Sequence, residues 1–250
     1  MNKLLIFLFL ITSLTSFGQI QIGGETEDPK KEKEKTPKQE KVTSEKSGDT
    51  EIFLGTNWSV TDRILIENKG LFGDSLGERA KEIGVNRWSF GLGFRTKLNN
   101  YLMCEGGVSY LQNGESYSFE GIDTSSTYTN SYQYIGMPIK LYYFYGQKKL
   151  RFQVGVGVVP QMALKFKQTS KTIDSDDNEI SESVETKIGF SSFVVSIVGN
   201  IGIQYEFMPT WSIYVMPEYR RQLTSSYLNT NKYQHFGTAL GVSVGFVKSI

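Results

Sequence analysis

The chain has 250 residues, with 27 basic against 26 acidic side chains and a formal net charge of +1. That balance offers no field for nucleic acid. A single cysteine, Cys104, excludes an internal disulfide; one Cys with one His makes no metal cage, and no cofactor is expected.

Residues 1–18 read as a signal peptide. Lys3 supplies the positive start, Leu4 to Ile11 are apolar, and Ser16 and Gly18 stand before a cut at Gln19. The apolar run falls short of the ~20 residues that a spanning helix needs. No cysteine follows the cut, so no lipid anchor is expected. Residues 19–50 mix Lys and Glu, carry Pro29 and Pro37, and hold almost nothing apolar. Such a stretch buries too little surface to offset ordering entropy, and it reads as a disordered periplasmic leader. Binding of peptidoglycan or a protein is its functional alternative.

Residues 51–250 read as one barrel domain of eight strands, at about 51–60, 85–98, 101–119, 130–145, 149–169, 185–207, 211–225 and 232–247. Within them, large apolar residues alternate with small or polar ones. In the last strand Phe236, Leu240, Val242, Val244 and Phe246 share one parity, while His235, Gly237, Ala239, Gly241, Ser243 and Gly245 share the other. Glycine and serine make a poor water-exposed face. They suit the crowded interior of a narrow barrel whose oily side meets lipid. Short connections at 99–100, 146–148 and 208–210 alternate with longer ones at 61–84, 120–129, 170–184 and 226–231. The pattern predicts an all-β, eight-stranded, antiparallel, up-and-down transmembrane β-barrel behind the charged leader. Both ends then lie on the periplasmic side of the outer membrane. A soluble lipocalin-type barrel would not need so oily an outer face.

Oily-parity aromatics form two girdles. Tyr143, Tyr145, Phe152, Tyr205, Phe207, Trp211 and Phe246 lie near the short turns; Trp58, Trp88, Tyr110, Tyr219 and Phe236 lie toward the long loops. Cys104 falls on the oily parity and reads as inert packing. Pro138, Pro160 and Pro217 fall inside strands and are expected at bulges near the outer interface.

The inward parity collects Arg87, Arg95, Glu105, Lys140, Arg151, Lys165, Glu206, Glu218 and Arg220. Eight strands leave room only for side chains, so these charges predict a filled lumen stitched by ion pairs, Arg95 with Glu105 and Glu218 near Arg220. A small porin-like or ligand-binding channel is the alternative. A lipid-modifying barrel enzyme would need a triad around His235, with Ser225, Ser226 and Asp62 as the available partners and no spacing signature to mark them. His235 instead reads as a solvated rim residue. The acidic loop with Asp174, Asp176, Asp177 and Glu179 lacks the EF-hand spacing and reads as solvated. Glycine runs such as GLGFR and GVGVG lie within strands, so they do not indicate a phosphate loop.

The signal ending TSFGQ, the strand YIGMPIKLYYFY, the GQKK turn, RFQVGVGVVPQM and the glycine-alternating last strand carry a family likeness. The 51–250 region resembles the outer-membrane β-barrel family widespread in Bacteroidetes, which includes PorT-like proteins. The chain departs from many barrels by ending FVKSI rather than on an aromatic residue. The resemblance implies an integral outer-membrane protein of OmpA or OmpX type, in contact with outer-membrane lipid. Its implied role is non-catalytic: membrane structure, surface interaction or help to a secretion system. Envelope or secretion proteins are the implied partners, reached through the long loops or the leader.

Overall fold

The computed structural model describes residues 50–67, 82–120, 125–146, 149–173, 179–228, 230–231 and 233–250. The residues read as a signal, nearly all of those read as a leader and the 174–178 stretch lie outside these residues. These residues form ten strands: β1 (Thr50–Glu67), β2 (Glu82–Lys97), β3 (Leu102–Glu120), β4 (Ser125–Gly136), β5 (Ile139–Tyr145), β6 (Leu150–Ile173), β7 (Glu179–Glu185), β8 (Phe193–Met208), β9 (Trp211–Gln222) and β10 (Tyr233–Ser249). Among the described residues there is no helix.

Eight staves close into a ring, because β1 pairs antiparallel with both β2 and β10. The expected fourth strand is two segments. β4 and β5 both pair with β3 and β6, in one unbroken register across Met137 and Pro138. The tenth segment, β7, pairs among the described residues only with β6 and stands outside the ring. It takes up residues 179–184 of the expected 170–184 loop, while β1 runs seven residues past the expected end at residue 60.

The stagger of the ring can be walked residue by residue. Glu51 faces Arg95, which faces Glu105, then Lys140 and Gly157. Gly157 leads through Val198, Arg220 and Ala239 back to Thr61 on the first strand. Ten residues separate Glu51 from Thr61, so one circuit climbs ten residues. An eight-stave ring with that stagger tilts its strands ~40° and has a radius of ~8 Å. Every residue on the circuit points inward, and a lumen so narrow must be filled by them.

Parity sets the two faces as the alternation predicts. Along β10, Leu240 is 64% exposed and Val242, Val244 and Phe246 are exposed with it, while His235, Gly237, Ala239, Ser243 and Gly245 are buried. The exposed apolar face continues around the ring through Leu54, Trp58, Phe90, Leu92, Ile139, Val156, Ile201 and Val215. In water such a surface would drive aggregation; in a bilayer it is the wetted face. Inner glycines give room to large neighbours. A Cβ at Gly245 would stand 2.6 Å from Tyr214 Oη, and Gly55, paired with Gly245 on β1, meets the same hydroxyl.

The prolines behave differently from expectation. Pro160 pairs with Val195 and Pro217 with Val242 without any slip of register. The register shifts lie elsewhere, at Gly84/Phe90, Gln133/Tyr134 and Glu206/Met208. A strand residue aims its N–H at one neighbour only, so a proline removes one bond and leaves the other ladder intact. Accordingly the β8–β9 pairing skips from Asn200/Glu218 to Ile203/Val215 beside Pro217. At Pro138 the strand gap is bridged by Met137 N–H donating to Pro160 O at 2.9 Å.

Candidate functional site: the lumen and its long-loop mouth

Two filled layers close the lumen. The layer nearer the short turns surrounds Arg95. Phe53, Met103, Tyr142, Phe144, Tyr214, Met216 and Val247 pack there. Arg95 is fully buried and donates from Nε to Glu105 at 2.7 Å. Its guanidinium lies 4.7 Å from the Tyr142 ring and 5.1 Å from those of Phe53 and Tyr214. A planar cation can be held this way because its edge bonds the carboxylate while its faces meet π-density. Lys140 Nζ lies 3.4 Å from Glu105 and 3.4 Å from Glu218. Glu218 also accepts from Ser243 at 3.4 Å, and Ser243 accepts from Asn57 at 2.8 Å. Above this chain lies a cavity of about 70 Å³.

Four of the nine charges singled out from the sequence, Arg95, Glu105, Lys140 and Glu218, thus form one network. The other five are placed differently. Arg151 pairs at 2.9 Å with Glu51, a buried partner that the sequence reading missed. Glu218 does not reach Arg220. Residues two apart on a tilted strand are separated along its length, and Arg220 instead donates to Asn113 Oδ1 at 2.9 Å. Arg87 donates to the Asn130 carbonyl at 3.3 Å. Lys165 leaves the lumen because the bulge opposite Gln133 and Tyr134 inverts parity above Ala163. It is 39% exposed and pairs with Glu185. The same inversion turns Phe166 inward. Glu206 is half-buried beside the bulge at the foot of β8, and no bond joins its side chain to the network among the described residues.

The second layer, toward the long loops, was not foreseen. Arg63 and Glu82 lie on strand continuations that the sequence reading assigned to a loop. Arg63 bonds Glu82 at 2.6 Å and Glu115 at 3.1 Å. Glu115 further accepts from Asn130 and from Tyr132, each at 2.8 Å. The alternation Thr61, Arg63, Leu65 was the available signal, since all three continue the inward parity of β1.

His235 is 1% exposed, not a solvated rim residue. Its ring lies 4.7 Å from Tyr132 and stacks on Tyr227 at 5.0 Å. Glu115 Oε2 is 3.7 Å from Nε2, too far for a hydrogen bond. Neither imidazole nitrogen has a hydrogen-bond partner among the described residues. The considered triad partners do not assemble: Ser225 Oγ accepts from the backbone N–H of His235, Ser226 Oγ donates to Gln222, and Asp62 is exposed and caps Arg63 N–H. Burial pushes the Tyr227 phenol up, against the pull of Tyr132 and the Arg63 guanidinium, and so it stays neutral. No cluster of three His, Cys, Asp or Glu able to hold a metal occurs among the described residues.

Among protein families, the one described as outer membrane protein beta-barrel domain matches residues 43–246. The chain belongs to this family. The protein is therefore an integral outer-membrane barrel whose apolar face contacts lipid. No curated protein matches it. Similar solved structures include OprG from Pseudomonas aeruginosa, 14% identical with a TM-score of 0.43, covering 82% of this chain and 97% of that one. Neisserial surface protein A is 12% identical with a TM-score of 0.38, over 81% and 98% of the two chains. Ail of Yersinia pestis, in complex with the heparin analogue sucrose octasulfate, is 15% identical with a TM-score of 0.29, over 79% and 99%. Family membership rests on the 43–246 match.

Proposed function

We propose that this outer-membrane barrel is a non-catalytic surface protein whose long-loop end offers a β-sheet edge to protein partners. The lumen charges serve structure, and the leader and C-terminus face the periplasm. The β6–β7 ribbon carries the reading. β6 runs 24 residues, whereas a tilted strand crosses the apolar layer in ~9–11. Its upper part pairs with β4 on one side and β7 on the other. All of β7 is exposed, and among the described residues β6 is its one partner in the sheet. An unpaired edge is a ready template for another strand. Ile180 and Val184 point from it into solvent, which adds apolar grip.

A photo-crosslinking residue at Ser183, used on intact cells, should give a discrete protein adduct. Ile180→Lys with Val184→Lys should abolish it, since edge lysines block strand addition. An adduct formed only from Asn99, on a short turn, would instead favour a periplasmic, secretion-assisting role and overturn the surface reading.

A further inference from the structure

The long-loop mouth holds a recess of about 240 Å³. One wall is aromatic, presented by the half-buried Phe190 and Tyr227 in front of Phe166 and Tyr132, which are buried. Phe166 and Phe190 stack with centroids 4.1 Å apart and planes at 14°. Tyr227 meets Phe190 edge-on at 5.1 Å, and Tyr132 meets Phe166 at 5.7 Å. The rest of the lining includes Asn130 and the exposed Gln168.

The wall is held by specific backbone devices. The β6 bulge turns Phe166 inward. Phe190 follows Gly189, whose φ of +82° suits glycine best. The Gly189 carbonyl accepts from Asn231 Nδ2 at 2.6 Å and from Leu228 N–H at 3.0 Å. Two connections far apart in sequence, 186–192 and 223–231, are thereby latched around the ring pair. Behind them, buried His235 stacks on Tyr227 with both nitrogens unpartnered among the described residues.

Charge narrows the occupant. Arg63, Lys165 and Lys167 are matched by Glu82, Glu115 and Glu185. Two of these matches are ion pairs at Arg63, the third is Lys165 with Glu185, and Lys167 lies opposite Glu185 across the β6–β7 pair. Three cations thus stand against three carboxylates around the recess, of which Arg63 and Lys167 line it. Asn130 gives one amide hydrogen to Glu115 and keeps its side-chain oxygen for a ligand, and the exposed Gln168 keeps its whole amide. We propose that the recess binds a neutral pyranose sugar. The C–H face of such a ring carries the positive edge that aromatic faces attract. The two amides offer both donors and acceptors to its hydroxyls. The volume lies below the ~300–1,000 Å³ of drug-sized pockets and admits one ring or two. No residue lining the recess belongs to β7, and neither Ile180 nor Val184 enters its charge balance, so sugar binding and edge pairing can fail independently.

The test uses the full chain in detergent micelles and saturation-transfer NMR. The neutral probes are methyl glycosides of glucose, galactose, mannose and N-acetylglucosamine; glucuronate and choline are the charged comparators. Transfer to the ring protons of at least one neutral glycoside is expected, with little to glucuronate or choline. Tyr227→Ala should weaken it at least fivefold, and Tyr227→Phe should retain it, because stacking needs only the ring. Gln168→Ala, at an exposed position that carries no folding burden, should weaken it at least twofold. Absence of transfer to every neutral glycoside overturns the proposal. So does stronger transfer to a charged comparator, or an unchanged signal in a folded Tyr227→Ala or Gln168→Ala protein.

Discussion

Replacement of Arg95 by Met should destabilise the barrel more than any change on the lipid face. The substitution removes the 2.7 Å bond to Glu105 and the ring contacts at 4.7–5.1 Å, and leaves Glu105 buried with Lys140 at 3.4 Å as its remaining cation. Breaking a buried pair from one side costs ~3–5 kcal/mol, and the surviving lysine places this case near ~3 kcal/mol. With a denaturant slope of ~2 kcal/mol per molar, the urea midpoint should fall by ~1.5 M. Glu105→Gln should cost a similar amount, since it leaves Arg95 buried against neutral groups. The double variant Arg95→Met with Glu105→Gln removes both ions, while Lys140 keeps Glu218 at 3.4 Å. Its loss should therefore fall short of the summed single losses by ~2 kcal/mol. Urea unfolding in micelles, followed by tryptophan fluorescence and by heat-modifiable gel migration, measures all four proteins. Single losses below ~0.5 kcal/mol, or simple additivity, would refute the idea that this pair organises the lower lumen.

Two further outcomes follow from lumen packing. Gly55→Ala places a Cβ against Tyr214 Oη and should cost ~1–3 kcal/mol by overpacking. Tyr214→Phe in the same chain should recover most of that loss, since the hydroxyl is the clashing atom, and urea midpoints of the two variants decide the matter. In planar bilayers the wild-type protein should show no steady conductance, because the Arg95 layer and the Tyr132–Tyr134–Phe166 layer both fill the cross-section; a sustained open level would contradict that packing.

The sequence reading recovered the barrel because its main signal is local. Alternation of large and small residues marks a two-faced strand wherever it occurs, and β10 shows it over most of its length. It fell short where register decides. The composite stave β4–β5 reads as one strand because Pro138 interrupts hydrogen bonds without shifting the chain. Lys165 reads as a lumen charge because parity counts from the short turn, and the bulge above Ala163 cannot be seen in that count. Arg63 and Glu82 were given to a loop because the run from Arg63 to Gly84 shows some helical spacing and no sustained alternation. In the structure they continue β1 and β2, held by an ion pair between the two strands.

Facing and class were thus determined by the sequence alone. Away from the bulges, each inward or outward position follows from a period-two pattern that needs no knowledge of neighbours, and the glycine-rich inner face already demanded a crowded lumen. Which charges meet was decided only by closure. Glu105 reaches Arg95 across one turn, but its second partner, Lys140, comes from the next stave. Glu51 and Arg151, a hundred residues apart, pair only because the ring closes. The ten-residue stagger sets every one of those heights, and stagger is a property of the closed ring rather than of any single strand.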